Sequence, residues 1–401
     1  MQLPTKEQAL AGLFALWQPQ APLEYVGIND AYGRVLAKDL YSLLTLPQVR
    51  ASAADGVCVG SAMFAHGFPD TTDWRYGVDY ARADTGDDFD DAFDTVIRIE
   101  DVILTANKLT LSPDLVFTPG MNIRASGSLI KSGAPLLSAD LPLRATDVAA
   151  LAMGGQTSIP VYRRPRVAFI PTGNELIAAG KQPQRGENID TNSIMAGLLL
   201  QEMGAEPLLY PIIPDNQERL SQALHQALAE ADIVVLNGGS SKGGEDYNAR
   251  LLENLGQLLC HGVAAGPGKP LAIAIIDQKP VINLPGPAIA ALHGLEWCVR
   301  AVVERWLKQP PLQRPLIKGV LTQPLSSAAS MSFQCLLHIG RAIDGHFMLT
   351  PVDFRRNSPA ACLTANGLYF SPQGIGDQPA GTILEVQLLR NAEYIETEQN
   401  S

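Results

Sequence analysis

A chain of 401 residues is longer than one ordinary hydrophobic core can organise, so two to four domains are expected. With 46% hydrophobic and only 18% charged residues, there is ample apolar surface to bury. A formal charge of −11 and a pI near 5.0 argue against a nucleic-acid binder, which presents a basic face, and any anionic ligand must find local cations. The five cysteines (Cys58, Cys260, Cys298, Cys335, Cys362) are odd in number and never spaced C-x-x-C, which fits a reducing compartment and no zinc ribbon. The six histidines show no ligand spacing. No apolar run approaches membrane-spanning length and no basic-then-apolar leader opens the chain, so a soluble cytoplasmic protein with neither a membrane nor a nucleic acid as partner is expected.

In chain order, Thr5-Lys6-Glu7-Gln8 has the form of a capping box, and Leu10, Leu13, Phe14 and Trp17 recur behind it at helical spacing. A second, short helical turn is expected through residues 29–39. From 41 to 120 the pattern changes to short apolar runs separated by Gly, Pro and Asp, such as Thr95-Val96-Ile97-Arg98-Ile99, which predicts a small β-rich domain. It carries the small-residue loop Ser52-Ala53-Ala54-Asp55-Gly56-Val57, and Asp84-Thr85-Gly86 ahead of a run of aspartates (Asp87, Asp88, Asp90, Asp91, Asp94). That run lacks the alternating acids and central glycine of a calcium loop, so a solvated loop is the expectation. Helical spacing returns around Thr146, Val148, Leu151 and Met153, followed by a short strand at 158–162 and a junction at Arg163-Arg164-Pro165.

Beyond the junction, strand and helix patterns alternate. Val167-Ala168-Phe169-Ile170 runs into Pro171-Thr172-Gly173-Asn174-Glu175, and Leu208-Leu209-Tyr210-Pro211-Ile212-Ile213 runs into Pro214-Asp215. Ile233-Val234-Val235-Leu236 runs into Asn237-Gly238-Gly239 and on to Asp246-Tyr247, and Val281-Ile282-Asn283-Leu284 into Pro285-Gly286-Pro287. Such alternation predicts a mostly parallel sheet whose strand carboxyl ends form one rim, where ligands bind. The rim would gather Glu175, Asp215, Asp246 and, from the turn Gly266-Pro267-Gly268-Lys269-Pro270, Lys269. The glycines would bring backbone N–H groups close to an anion. A long apolar helix from Pro287 to near Trp306 stops before Gln309-Pro310-Pro311, and strand-length runs such as Thr382-Ile383-Leu384-Glu385-Val386 then predict a β-barrel or sandwich.

Each site residue also has a structural reading. Asp215 with Glu218 could be a capping box for the helix carrying Leu220, Leu224 and Leu228; Glu175 could be a first-turn acid favoured by the helix dipole; Asp246 could cap the next helix. Asp55 could shape its turn and Thr85 be a turn hydroxyl. Lys242 reads as a solvated loop residue. Lys269, between two prolines after Gly-Pro-Gly, caps nothing.

Together these stretches resemble the molybdopterin molybdenumtransferase family, which includes MoeA and the E domain of gephyrin. The resemblance rests on Ala31-Tyr32-Gly33-Arg34-Val35-Leu36-Ala37-Lys38-Asp39, Asp55-Gly56, Thr85-Gly86, Thr172-Gly173-Asn174-Glu175, Asp190-Thr191-Asn192, Asn237-Gly238-Gly239 with Asp246-Tyr247, Pro267-Gly268-Lys269-Pro270 and Leu284-Pro285-Gly286. It implies a multidomain α/β plus β protein. Residues 1–40 and 121–162 would form a discontinuous linker domain and 41–120 the small β-rich domain. Residues 163–311 would form a MogA-like parallel α/β domain that binds molybdopterin, and 312–395 a C-terminal β-barrel. It also implies a homodimer with a shared active site that takes adenylylated molybdopterin and molybdate, uses Mg2+, inserts molybdenum and releases AMP. Asp55, Asp215, Asp246 and Lys269 would be catalytic, and Glu175 with Asp246 would hold the metal. Thr85, Thr172, Gly173, Gly238, Gly239, Pro285 and Gly286 would bind substrate.

The chain departs from the family pattern in several places. S-A-M-D-G-Y-A reads Ser52-Ala53-Ala54-Asp55-Gly56-Val57-Cys58, and the acid of G-E-D falls on Leu129. T-G-D-E carries Asn174, K-P-G-K-P has Ala265 at its first lysine, and L-P-G-N-P has become Leu284-Pro285-Gly286-Pro287-Ala288. A relative that binds the pterin nucleotide or a partner as a scaffold is the alternative to an active transferase.

Overall fold

In the computed structural model, residues 3–105, 108–238, 247–353, 362–363 and 365–395 are described. The chain divides into two compact units, Leu23–Val161 and Met1–Pro22 together with Tyr162–Ser401. Helix α1 (Lys6–Leu16) begins at the expected capping box: the Thr5 hydroxyl accepts from Gln8 N–H, and the Gln8 side chain accepts from Thr5 N–H. Its Leu13 is fully buried, and it belongs to the second unit rather than with residues 23–40.

The Leu23–Val161 unit has separate cores. In one, Val57, Val59, Tyr80 and Ile97 pack beneath a three-stranded antiparallel sheet, with β1 (Gly56–Val59) between β2 (Tyr80–Ala83) and β3 (Thr95–Arg98). Another joins Ala31, Leu36, Leu143, Ile159 and Val161 to Leu151 of α2 (Ala145–Met153). The helical turn expected over 29–39 is not formed. A 3-10 turn covers only Ile28–Asp30, Gly33 then takes φ +70, and Val35 and Leu36 pair as bridges with Pro142 and Val161. The left-handed glycine ends the turn, and tertiary pairing takes the backbone from there.

The second unit is built on a six-stranded sheet. Its strands are β4 (Arg166–Pro171), β5 (Glu206–Leu209), β6 (Ile233–Asn237), β7 (Gln257–His261), β8 (Ala272–Ile276) and β9 (Lys279–Leu284), in the order β5-β4-β6-β9-β8-β7. Pairs β5/β4, β4/β6 and β6/β9 are parallel, and the β9-β8-β7 edge is antiparallel. Alternation along the strands assigns their faces. Ala168, Ile170, Val234 and Leu236 pack on Leu220 and Leu224 of α4 (Gln217–Glu230) and on Leu252 of α5 (Tyr247–Leu255). The fully buried Val167, Phe169 and Val235 point the other way, toward the side taken by α3 (Asn192–Glu202) and α6 (Ala288–Gly294), which contact one another. The strand expected over 208–213 is only Glu206–Leu209; Pro211 offers no N–H for the ladder, and Ile213 returns as a single bridge to Thr172.

The long helix expected after Pro287 runs as α6, a π-helical turn at Leu295–Val299, and α7 (Arg300–Trp306). Beyond it lie β10 (Leu316–Leu321), β11 (Ser332–Arg341), β12 (Phe347–Pro351), β13 (Gly367–Ser371) and β14 (Ile383–Leu388). The pairing β11-β12-β10-β14-β13 returns to β11, whose length lets it pair with both β12 and β13, so five strands close into a barrel. Closure leaves no long unpaired edge.

Candidate active site

In the sheet β4 lies between β5 and β6, so the crossovers leaving its two sides diverge at the carboxyl ends of β4 and β6. That is the topological switch point at which open α/β sheets bind ligands. The sequence places Thr172-Gly173 and Asn237-Gly238 there. Thr172 donates its N–H to the Asn237 carbonyl at 2.8 Å, Gly173 to Ile213 O at 3.1 Å and Gly238 to Leu284 O at 3.0 Å. These N–H groups are committed to neighbouring strands, so Thr172, Gly173 and Gly238 contribute shape rather than free donors. The shape depends on missing side chains. A Cβ on Gly238, at φ +120, would lie 2.4 Å from Thr172 O, and one on Gly286 would sit 3.7 Å from the Gly238 Cα. The first position excludes a side chain; at the second a Cβ would make ordinary van der Waals contact with the Gly238 backbone.

A buried lattice of amides fixes this crevice, and none of it was apparent from the motifs. Asn237 donates Nδ2 to Pro285 O at 2.8 Å, and Asn192 donates to Asn237 Oδ1 at 2.9 Å and to Gly286 O at 2.7 Å. Asn248 donates to Gly238 O at 3.0 Å and to Asn283 Oδ1 at 2.9 Å. The signal was present in the sequence: Asn237 and Asn283 are polar residues at the ends of otherwise apolar strands, and buried amides demand partners. Asp190 accepts from Ser193 N–H and Oγ at 3.0 and 2.6 Å, fixing the start of α3.

Around the crevice stand exposed acids. Asp215 does not cap α4; Asn216 does, accepting from Arg219 N–H at 3.0 Å. Asp215 instead forms a reciprocal pair with Asn174: Asn174 N–H reaches Asp215 Oδ2 at 3.4 Å, and Asp215 N–H reaches Asn174 Oδ1 at 3.0 Å. Where the family pattern has an acid, Asn174 thus locks Asp215 onto the β4 loop. Glu175 is not in a helical first turn; it is followed by a two-residue ladder, Leu176–Ile177 with Asn188–Ile189, and its carboxylate lies over Gly173, within 2.8 Å of where a Cβ would be. Gly239, Lys242 and Asp246 lie outside the described residues.

Lys269 reaches the same rim by another route. β8 is antiparallel to β9, so the loop 262–271 joining β7 to β8 emerges where β9 ends, beside Leu284-Pro285-Gly286. The lysine is exposed, and its carbonyl accepts from Val263 N–H at 2.9 Å. A pentapeptide K-P-G-K-P ending at Pro270 begins at Gly266, so the missing first lysine belongs there and not at Ala265, a correction of one position. Gly266 pairs with Phe333 of the barrel, and a Cβ would meet that ring at 3.1 Å. Pro287 is the N-cap of α6, and Leu129 is exposed at 57%.

In the other unit, Asp55 sits at the entry to β1. A Cβ on the following Gly56 would lie 1.9 Å from Ile97 O, so only glycine fits against β3. Thr85 N–H donates to Asp55 Oδ1 at 2.7 Å; that bond, the Thr85 side chain and the nearby Arg82 hold the Asp55 carboxyl below its ordinary pKa. Asp55 and Thr85 thus form one exposed group. The aspartate run is a hydrogen-bonded loop, with Asp94 accepting from Ser61 and Asp91 paired to Arg50. Among the described residues no group of three or more His, Cys, Asp or Glu is placed to enclose a metal by itself.

Residues 5–155 match the family described as the MoeA N-terminal region (domain I and II), and residues 168–305 match the probable molybdopterin binding domain. The molybdopterin molybdenumtransferase of a Nostoc species is 32% identical over 309 residues, 71% of this chain and 70% of that protein. That of Haemophilus influenzae is 29% identical over 305 residues (73% and 75%), and that of Bacillus subtilis 26% over 396 (93% and 91%). Among solved structures, a molybdopterin biosynthesis MoeA protein from Pyrococcus horikoshii shares the fold with a TM-score of 0.79 at 24% identity, over 97% of this chain and 100% of that one.

Proposed function

This chain belongs to the molybdopterin molybdenumtransferase family, and on that premise we propose that it inserts molybdate into adenylylated molybdopterin and releases AMP in molybdenum cofactor biosynthesis. The observation that carries the reading is the crevice at the switch point, where Gly238 and Gly286 approach without side chains and Glu175, Asp215 and Lys269 stand on the same rim. On this reading the crevice takes the pterin and its phosphate, and the rim supplies the charges a phosphoanhydride needs. Lys269 offsets the negative charge that develops as the anhydride bond to AMP breaks.

Magnesium fits these residues. It is usually held by one or two carboxylates together with substrate phosphates rather than by a closed protein cage, and Glu175 and Asp215 are exposed acids of that kind. Asp246 completes the set by resemblance. When bound, the metal offsets phosphate charge. We further propose a homodimer in which Asp55 and Thr85 of one subunit serve the rim of the other, working in the cytoplasm; no helix among the described residues is long and apolar enough to cross a membrane.

The test is AMP release from adenylylated molybdopterin with molybdate and magnesium, followed by chromatography. The wild-type chain is expected to turn over, and Lys269→Ala to lose about 2–4 kcal/mol of transition-state stabilisation, roughly 30- to 1,000-fold in rate. Tight binding of the nucleotide without any AMP would replace the transferase with a scaffold.

A further inference from the structure

The loop carrying Lys269 is held in place mostly by backbone. Ala264 N–H donates to Pro4 O at 2.7 Å, Ser332 N–H to Ala264 O at 3.0 Å, Leu271 N–H to Gly268 O at 3.0 Å and Val263 N–H to Lys269 O at 2.9 Å. Pro267, two residues ahead of the lysine, is different: its carbonyl is bonded by the Nδ1 of His293, a side chain of α6 that is 1% exposed. A carbonyl can only accept, so the proton resides on Nδ1. Burial, reinforced by the nearby Lys6 charge, lowers the pKa of His293 to about 3, so the ring is neutral and carries that one proton. Nε2 is buried and has no hydrogen-bond partner among the described residues, a cost that packing alone would remove by placing an apolar residue here. The helix also meets the loop at Gly268, where a Cβ would lie 3.4 Å from Ala290 O.

We propose that His293 is a positioning residue for Lys269, its Nδ1–H on the Pro267 carbonyl fixing the turn from which the lysine addresses the substrate phosphate. This rests on the role proposed above for Lys269. A buried histidine used only as filler would tolerate any side chain of similar size. One that sets the turn requires a donor at the Nδ1 position.

The experiment compares two amides. In His293→Asn the amide nitrogen falls near the place of Nδ1, whereas in His293→Gln it falls near Nε2, so both stay polar but only the first keeps the bond. His293→Gln is expected to lower kcat for AMP release about 10- to 100-fold with KM changed less than about threefold, the scale at which a misplaced catalytic group acts. His293→Asn should recover most of that loss. In a Lys269→Ala background, His293→Gln should add nothing further, because the group it positions is gone. Equal rates for the Asn and Gln variants at matched thermal stability, or a loss by His293→Gln that multiplies the loss from Lys269→Ala, would overturn the proposal. If Lys269→Ala alone leaves kcat intact, the lysine's own role fails, and the assignment of His293 fails with it; that outcome is distinct from a defect confined to the histidine variants. Should His293→Gln not fold, His293→Leu provides a variant with no donor at the Nδ1 position, read by the same comparison with His293→Asn.

Discussion

At Gly238 the shape of the crevice comes down to one missing methyl group. A Cβ there would lie 2.4 Å from the Thr172 carbonyl and 2.5 Å from its Oγ1, at φ +120, where L side chains are strained. Gly238→Ala is expected to cost about 2–4 kcal/mol of stability and to weaken binding of the pterin nucleotide. Gly180, at φ +87 with nothing within 4 Å of its Cβ, is the control: Gly180→Ala should cost only about 1 kcal/mol and leave binding unchanged. Urea midpoints with a nucleotide titration on each variant decide it; equal effects at both sites would mean that the contact with Thr172 is irrelevant. The sequence showed that glycine stands at 238 but not why, because the Thr172 backbone that forbids a side chain is 66 positions away. The same holds for Asp215. A local capping pattern pointed to α4, and a non-local partner, Asn174, took the side chain instead. Local rules read Thr5 and Gln8 correctly because both halves of that capping box lie within one turn.

Among the elements, the helix leading into the barrel carries the clearest buried charges. Glu296, on the π-helical turn, binds Arg300 at 3.2 Å and Arg314 at 2.9 Å, and the three side chains are only 10%, 8% and 16% exposed; Arg300 also reaches Glu202 at 3.0 Å. Glu296→Ala would take one counter-charge from each of two guanidinium groups in a poorly solvated place, Arg300 keeping only Glu202 of the two acids named. The expected cost is about 3–5 kcal/mol in urea unfolding. Asp91→Ala, which breaks the Arg50 pair at a fully exposed carboxylate, should leave the urea midpoint nearly unchanged. Comparable losses from the two would show that Glu296 is solvated in practice. Neither the π-turn nor the ion network was visible in the sequence, where residues 288–306 read as one apolar helix. The parallel strands β4, β6 and β9 were visible, because buried strands are continuous β-branched runs, whereas the antiparallel β7 was not. Its residues, Gln257–His261, follow the Gly256 that stops α5 but include no β-branched side chain, so they lack the strand signature.

For the whole molecule, the proposed function predicts how two subunits divide one site. If Asp55 acts on the rim of the partner subunit, a dimer of one Asp55→Ala chain and one Lys269→Ala chain holds one doubly damaged site and one intact site. Each single variant by itself would be close to inactive. Mixed and refolded in equal amounts, half of the dimers are heterodimers with half of their sites whole, so about a quarter of the wild-type AMP release should return. A site assembled within a single chain gives the opposite result, because every site in the heterodimer then carries one lesion and the mixture stays as inactive as its parents. The sequence supports the design of this test but not its outcome. Asp55-Gly56 and Gly268-Lys269 are legible in the sequence as motifs, and the structure supplies their backbone neighbours, Ile97 for Gly56 and Ala290 for Gly268, yet spacing along a chain carries no information about which copy meets which. Salt sharpens the comparison: subunit exchange can be driven at high ionic strength and activity read after dilution, since exposed charges are screened beyond about 10 Å at 0.1 M salt. Recovered activity that scales with the heterodimer fraction, measured on the same samples by native mass spectrometry, would establish sharing; activity independent of that fraction would assign all of the chemistry to one chain.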